Sequence, residues 1–302
     1  MDVLVVGGTG FIGTHLCREL DERGHEVTAL SRNPDGEGLP SGVETAMGDV
    51  TSYDSIRDAF EGQDAAVNLV ALSPLFKPKG GNSKHFEVHR DGTENVVRAC
   101  EDAGVSRLTH MSAMDADPNA DTAYLRSKGE AENTVKDADL DWCVFQPSVV
   151  FGEGGEFVSF TKRLKGIFAP GLPIYPLPGG GKTRFQPIWV GDLVPMLADS
   201  LEGDEHVGQV YEIGGPETLT LAEVARLSFK AEGKSITIVG LPMALAGIGL
   251  SVMGKVPGIP MGADQYRSLK MDNTTADNDV EAFGVDESEL RTLSAYLGVA
   301  DT

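Results

Sequence analysis

VLVVGGTGFIGTHL, residues 3–16, joins a strand-like apolar run to a glycine-rich turn and then to the start of a helix. In such a turn Gly7 permits the sharp change of direction, Gly10 lets the backbone approach a pyrophosphate, and Gly13 allows close packing of helix on strand. The helix N-terminus behind the turn offers free N–H groups and a favourable dipole to phosphate. Because the turn follows the first strand directly and opens a helix, we interpret it as a dinucleotide-binding loop rather than a plain turn.

The first half of the chain alternates short apolar runs with amphipathic runs. The strand-like segments are DVLVV, HEVTAL, VETAMGDV, DAAVNLVAL, VSRLTHMSA and LDWCVFQPS, with helix-like segments between them. This alternation is typical of βαβ units, in which helices cover both faces of a parallel sheet. We therefore predict an α/β fold with a doubly wound parallel sheet of the Rossmann type.

The composition changes after Pro147. Glycine and proline become dense, as in FAPGLPIYPLPGGGKTRFQP at 168–187, and the strand–helix alternation loosens. We predict a dinucleotide-binding Rossmann domain over residues 1–150 and a small C-terminal substrate lobe over 151–302, with some segments of the lobe returning to the sheet.

The charge of the chain is strongly acidic: 25 basic and 46 acidic residues give a net charge of −21. Repulsion from such a surface disfavours nucleic acids and anionic membranes as partners. Carboxylates also keep a surface hydrated when salt screens their mutual repulsion, so we hypothesise a surface like that of halophilic proteins.

Three further features bear on location. Cys17, Cys100 and Cys143 are odd in number, far apart and in apolar surroundings, which indicates buried thiols in a reducing cytoplasm rather than a disulfide or metal set. The N-terminus lacks the pattern of a signal peptide. The apolar segment 236–254 raises the alternative of a membrane span, although its proline and glycines favour a strand followed by a buried or surface-docking helix.

The end of the second strand indicates the cofactor. An acidic residue there would bind the ribose 2′-hydroxyl of NAD, whereas an arginine accommodates the 2′-phosphate of NADP. This chain has Ser31 and Arg32, with no acid before Asp35. We therefore predict NADP(H) over NAD(H). Asp49, followed by Val50, is placed either to bind the adenine amino group or simply to cap its own loop.

These motifs resemble the short-chain dehydrogenase/reductase superfamily, in its extended and atypical branch of the NAD-dependent epimerase/dehydratase type. The resemblance covers nearly the whole chain. It is carried by GGTGFIG at 7–13, Asp49-Val50, NLVA at 68–71, FEVHRDGTENVVRAC at 86–100, Ser112, Tyr124-x-x-x-Lys128 and QPSVVFG at 146–152. Within that branch the chain is most similar to the group containing the 39-kDa accessory subunit of respiratory complex I, through residues 179–194, 210–224 and 264–273.

The resemblance implies a catalytic group of Ser112, Tyr124 and Lys128. Tyr124 would be the general acid/base, Lys128 would bind the nicotinamide ribose and lower the tyrosine pKa from its usual value near 10, and Ser112 would hold the substrate oxygen. The i, i+4 spacing places Tyr124 and Lys128 on one helix face. The cofactor contacts that the resemblance implies are Gly7, Gly10, Phe11, Ile12, Gly13, Ser31, Arg32, Asp49, Val50, Ala71, Lys128 and Pro147.

Candidate substrate contacts are His89 and Arg184. His85 and His89 flank Glu87 in an order that does not fit the zinc-protease motif, so pocket or helix-surface histidines are expected and no metal site is predicted. Arg184 lies near the place where sugar-nucleotide epimerases keep an arginine for the substrate diphosphate, with a structural ion pair as the alternative.

Three functions are compatible with these motifs. The first is an NADP-dependent oxidoreductase or epimerase acting on a secondary alcohol or carbonyl of a small-molecule substrate. The second is a non-catalytic, NADPH-bound accessory or assembly protein of a membrane redox complex, which would make a cytoplasmic protein peripheral to the membrane. The third, a redox-sensing regulator, fits less well because such relatives usually lack the Tyr-x-x-x-Lys pair. The oligomeric state is left open.

Overall fold

The structure, a computed structural model, describes residues 1–35, 38–245 and 262–299. The chain divides into two compact units. The first comprises Met1–Leu72, Lys79–Pro147 and Val190–Glu212, and the second comprises Ser73–Pro78, Ser148–Trp189 and Ile213–Thr302. The domain division at residues 150 and 151 stays a prediction.

The strands of the described residues are β1 (Asp2–Val6), β2 (Glu26–Ser31), β3 (Glu44–Met47), β4 (Ala65–Asn68), β5 (Arg107–Met111), β6 (Asp141–Pro147), β7 (Val150–Phe151), β8 (Ile174–Pro178), β9 (Arg184–Phe185), β10 (Ile188–Trp189), β11 (Gln209–Ile213), β12 (Leu219–Thr220) and β13 (Thr237–Leu241).

The α-helices are α1 (Phe11–Glu22), α2 (Tyr53–Ile56), α3 (Ser83–His85), α4 (Gly92–Ala103), α5 (Ala123–Lys136), α6 (Phe157–Phe168), α7 (Val190–Glu202), α8 (Leu221–Lys230), α9 (Ala263–Ser268) and α10 (Leu293–Leu297). A π-helix (Phe86–Asp91) joins α3 to α4. Short 3₁₀ helices cover Arg57–Phe60, Asp204–His206, Asp279–Phe283 and Glu287–Glu289.

A seven-stranded parallel sheet flanked by helices forms the first unit, in the order β11-β6-β5-β4-β1-β2-β3. Strand β1 shows that the sheet is covered on both faces. Its side chains from Val3 to Val6 point alternately to opposite sides, and all of them are buried. Val3 pairs with Val27 of β2 on one side and with Ala65 of β4 on the other. The predicted doubly wound Rossmann fold is confirmed.

The strand order fixes where a ligand can bind. The chain builds β1, β2 and β3 toward one edge of the sheet, then returns to add β4, β5 and β6 on the other side of β1. The connections from β1 and β4 therefore leave in opposite directions, and a crevice opens at the carboxyl ends of these two strands. The glycine-rich turn after β1 lies at this crevice.

Helix α5, which carries the candidate catalytic pair, is fixed at its start by Thr122. The Thr122 side chain accepts a hydrogen bond from the backbone N–H of Leu125 at 3.2 Å, a standard N-cap. The π-helix that packs beside α5 has one wide turn, a feature found often at functional sites. These two elements position the polar side chains described below.

The second unit contains three two-stranded sheets, β7 with β10, β9 with β12, and β8 with β13. Its core joins α6, β8 and α8 through buried Phe160, Tyr175, Leu177 and Phe229. The strand predicted at the start of the apolar segment is confirmed as β13, and residues 246–254 of that segment lie outside the described residues. Among the described helices, none has the length and apolar character needed to cross a membrane.

Candidate active site

The glycine-rich turn has the geometry that its sequence predicts. Gly7 has φ +91°, a conformation that strongly favours glycine, and its carbonyl accepts the Gly10 N–H at 2.9 Å. A Cβ atom on Gly13 would lie 2.2 Å from the Gly7 carbonyl oxygen, which is closer than any real contact. The start of α1 can therefore pack against the turn only because residue 13 has no side chain.

A groove of about 300 Å³ opens beside this turn. Its walls come from the carboxyl ends of β1, β2 and β4 and from the loop after β3. The predicted cofactor contacts that line it are Gly7, Gly10, Ser31, Arg32, Asp49, Val50 and Ala71. The groove also has an apolar wall that was not predicted as a cofactor contact, although Leu69, Val70 and Val88 lie in the NLVA and FEVHRDGTENVVRAC motifs; it is formed by Val6, Leu30, Leu69, Val70, Leu72 and Val88.

The other predicted cofactor contacts lie around the groove rather than in its wall. Phe11, Ile12 and Gly13 form the first turn of α1, and Pro147 is the buried last residue of β6. Lys128 is buried on α5. Their contact with a cofactor stays a prediction.

The polar end of the groove fits the ribose of a dinucleotide. The Ser31 hydroxyl is buried and has no hydrogen-bond partner among the described residues. A buried hydroxyl is rarely left unpaired in a protein, so this atom is suited to a ligand group. The exposed side chain of Arg32 follows it and offers the positive charge that a 2′-phosphate would need.

Asp49 caps its own loop, as the alternative interpretation proposed. Its Oδ1 accepts hydrogen bonds from the Thr51 N–H at 3.0 Å and the Thr51 hydroxyl at 2.8 Å. Burial works against ionisation of this carboxyl, but the Thr51 hydrogen bonds and the charge of Arg32 prevail and lower its pKa. The carboxylate also lines the groove, so capping leaves it available to a ligand.

Lys128 is 1% exposed, and its ammonium donates a 2.8 Å hydrogen bond to the carbonyl of Met111, the residue before Ser112. This bond ties α5 to the end of β5. Burial lowers the pKa of Lys128 to about 8, while the nearby charge of Glu132 acts in the opposite direction. The side chain is thus a buried cation that titrates not far above neutrality.

Tyr124 lies one turn before Lys128 and packs against two histidine rings. Its ring meets His85 and His89 edge-on, with centroid distances of 5.7 and 5.4 Å. Burial raises the pKa of Tyr124 to about 12. Loss of hydration is the cause of this rise, and the lowering of the Tyr124 pKa that was expected from Lys128 stays a prediction.

Ser112 is buried and donates its hydroxyl hydrogen to Glu132 of α5. Glu132 also accepts a hydrogen bond from the Gln146 amide at 2.8 Å and forms an ion pair with Lys136 at 2.9 Å. Sequence reasoning missed this carboxylate. Its only signal was the spacing, since Glu132 follows Lys128 by four residues and precedes Lys136 by four.

His89 links the groove to helix α5. Its Nε2 accepts a hydrogen bond from the Leu72 N–H at 2.9 Å, so the proton lies on Nδ1, which is 2.9 Å from Ser127 Oγ. Ser127 in turn donates to the Tyr124 carbonyl at 2.8 Å. Burial, followed by the charge of Lys128, lowers the pKa of His89 well below its usual value, consistent with this neutral tautomer. Both ring nitrogens are thus engaged within the protein, and the contact of His89 with substrate stays a prediction.

Arg184 belongs to the second unit and forms an ion pair with Asp272 through Nη2 at 2.7 Å. This contact is the structural ion pair that was named as the alternative role of Arg184. A contact of Arg184 with substrate stays a prediction. Within the described ranges no three His, Cys, Asp or Glu side chains are arranged to hold a metal ion.

The comparison with known families agrees with this geometry. Residues 7–164, more than half of the chain, match the model of a family described as NAD(P)H-binding. The chain belongs to this NAD(P)H-binding family. The predicted relationship to the extended and atypical short-chain dehydrogenases/reductases, with the complex I subunit group among its relatives, is also confirmed.

The curated relatives of this NAD(P)H-binding chain differ in activity. Subunit 9 of the NADH dehydrogenase [ubiquinone] 1 alpha subcomplex of Arabidopsis thaliana is 24% identical over 292 residues, which are 91% of this chain and 71% of that protein. A 3-beta-hydroxysteroid dehydrogenase of Mycolicibacterium neoaurum is 28% identical over 265 residues, 78% of this chain and 71% of that enzyme.

A solved structure shares the fold. The UDP-glucose 4-epimerase of Thermus thermophilus, in complex with NAD, superposes with a TM-score of 0.64 at 24% identity, covering 88% of this chain and 99% of that one.

Proposed function

We propose that this protein is an NADP-dependent oxidoreductase acting on a secondary alcohol or the corresponding carbonyl, with Ser112, Tyr124 and Lys128 as its catalytic group. The observation that carries the proposal is the Lys128–Met111 hydrogen bond. It joins the helix of Tyr124 and Lys128 to the strand end that bears Ser112, in the same unit as the dinucleotide groove.

Each residue of this site has a distinct role in proton transfer. The Tyr124 hydroxyl exchanges a proton with the substrate oxygen, Ser112 Oγ positions that oxygen, and the Lys128 cation favours the phenolate form of Tyr124. The dinucleotide, when bound, supplies or accepts the hydride. His89 and Ser127 support the backbone at Tyr124.

The test is turnover of a 3β-hydroxysteroid, chosen because a curated relative is named for that substrate, followed by a panel of other secondary alcohols and ketones. We expect Tyr124→Phe to lower kcat by about 10²–10⁴-fold on the substrate that is turned over, while NADPH affinity is retained. Tyr53→Phe is the matched control, because the Tyr53 hydroxyl bonds Asp102 at an exposed position. Unchanged turnover in Tyr124→Phe would exclude the proposal.

The preference for NADP rests on Ser31 and Arg32. We expect NADPH to bind at least about tenfold more tightly than NADH, and Arg32→Ala to remove most of that difference without weakening NADH, because one charge-assisted phosphate contact is lost. The exposed Arg57, which pairs with Asp54 and Asp58, provides the control Arg57→Ala. Tighter binding of NADH by the unmodified protein would contradict this preference.

A second candidate function is that of a non-catalytic, NADPH-bound accessory protein of a membrane redox complex, with a cytoplasmic or membrane-peripheral location. It is supported by the similarity to the complex I subunit of Arabidopsis thaliana over 91% of this chain. Co-purification with respiratory subunits, together with wild-type behaviour of Tyr124→Phe in cells, would favour this function over the first.

A further inference from the structure

Glu132 is a buried carboxylate, 2% exposed, on the helix of Tyr124 and Lys128. It accepts hydrogen bonds from the Ser112 hydroxyl and the Gln146 amide through Oε1, and its Oε2 pairs with Lys136. Three donors from three elements of the first unit thus converge on one side chain. Such convergence is what a buried carboxylate requires to remain charged.

The same carboxylate acts on Lys128, one helical turn earlier. Other titratable groups near this lysine are His89 of the π-helix and His110 of β5. Burial lowers the pKa of His89 and of His110 well below the usual value, so these rings are neutral and add no second positive charge beside the lysine. Glu132 is the negative group whose field acts on the Lys128 ammonium.

The outer face of α5 carries a separate charge pair. Glu130 binds Arg90 at 3.3 Å and is partly exposed, so its charge is neutralised locally. Because Glu130 and Glu132 are on one helix, they offer a matched comparison between a buried carboxylate that contacts the site and an outer one that does not.

We propose that Glu132 is the positioning residue of this site: its carboxylate holds the Ser112 hydroxyl hydrogen and balances the buried charge of Lys128. The bond to Glu132 fixes the orientation of the Ser112 side chain, and Lys128 stays cationic near neutral pH. The proposal rests on the catalytic roles proposed for Ser112, Tyr124 and Lys128.

The test measures the titration of Lys128 directly and needs no substrate. Protein labelled with ¹³C at lysine Cε is titrated by NMR, and the Lys128 resonance is assigned by its loss in Lys128→Met. We expect a midpoint near 8 in the unmodified protein and a fall of about one pH unit or more in Glu132→Gln, which keeps an acceptor for Ser112 but removes the charge. Glu130→Gln should leave the midpoint unchanged.

A second variant tests the proposal independently, in case Glu132→Gln does not fold. Lys136→Gln removes the partly exposed cation that shares Glu132, so the carboxylate acts on Lys128 alone and the midpoint should rise. An unchanged or lower midpoint in Lys136→Gln, or an unchanged midpoint in folded Glu132→Gln, would overturn the proposal. The Tyr124→Phe assay measures turnover, whereas this titration measures the Lys128 midpoint. A failure of the proposed function can therefore be told apart from a failure of the role proposed for Glu132.

Discussion

The imidazole of His89 donates a hydrogen bond from Nδ1 to Ser127 Oγ at 2.9 Å. This bond joins the π-helix to helix α5, while the other ring nitrogen accepts the backbone N–H of Leu72 in the wall of the groove. One neutral side chain therefore couples the groove to the helix turn that carries Tyr124.

His89→Ala should lower the free energy of unfolding by about 2–3 kcal/mol, because the partly buried Leu72 N–H and the buried Ser127 hydroxyl each lose a partner. Urea denaturation at neutral pH measures the change. His15→Ala is the control, since His15 is a partly buried residue of α1 whose ring bonds only its own helix in the described structure. A cost for His89→Ala no larger than that of His15→Ala would show that the linkage does not stabilise the fold.

Gly13→Ala should abolish NADPH binding or weaken it by at least about a hundredfold. The added Cβ would meet the Gly7 carbonyl at 2.2 Å, so the turn must move away from its phosphate-binding geometry. Quenching of tryptophan fluorescence by NADPH provides the measurement. Gly166→Ala, in helix α6, is the control: an added Cβ there meets no atom within 4 Å, and the variant should bind NADPH normally and be about as stable or slightly more so.

The pH dependence of stability should contain a contribution from Lys128. Its pKa is lowered on folding from 10.5 to about 8, so the unfolded state binds more protons between these values and stability rises with pH there. Relative to Lys128→Met, the unmodified protein should gain about 2 kcal/mol between pH 7.5 and pH 9.5. Buried thiols such as Cys17 act in the opposite direction, but they are common to both proteins and cancel in the difference. Parallel pH profiles for the two proteins would mean that Lys128 is not buried as a cation.

The net charge of −21 predicts a strong effect of salt on stability. The melting temperature should rise steadily between about 0.1 and 2 M KCl, because salt screens the repulsion among surface carboxylates. KCl is preferred to a sulfate salt, since sulfate strengthens apolar burial in any protein. A melting temperature independent of KCl would remove the halophile-like interpretation of the surface.

The Rossmann fold and the dinucleotide turn could be predicted from sequence because both depend on local patterns. The buried run of β1 and the three glycines act within about a dozen residues, and the parallel sheet follows from repetition of one strand–helix unit. The spacing of Tyr124 and Lys128 likewise determined their shared helix face, since four residues make about one turn.

Tertiary structure alone decided the chemical state of the site. Whether Lys128 is a hydrated or a buried cation depends on how α5 packs against β5, and burial changes the pKa of Tyr124 in the direction opposite to the sequence-based expectation. Glu132 meets Ser112 across twenty residues of chain, and His89 meets Ser127 across thirty-eight. Sequence specifies which groups are present, but their protonation and partners depend on desolvation and on contacts between distant segments, which no local pattern encodes.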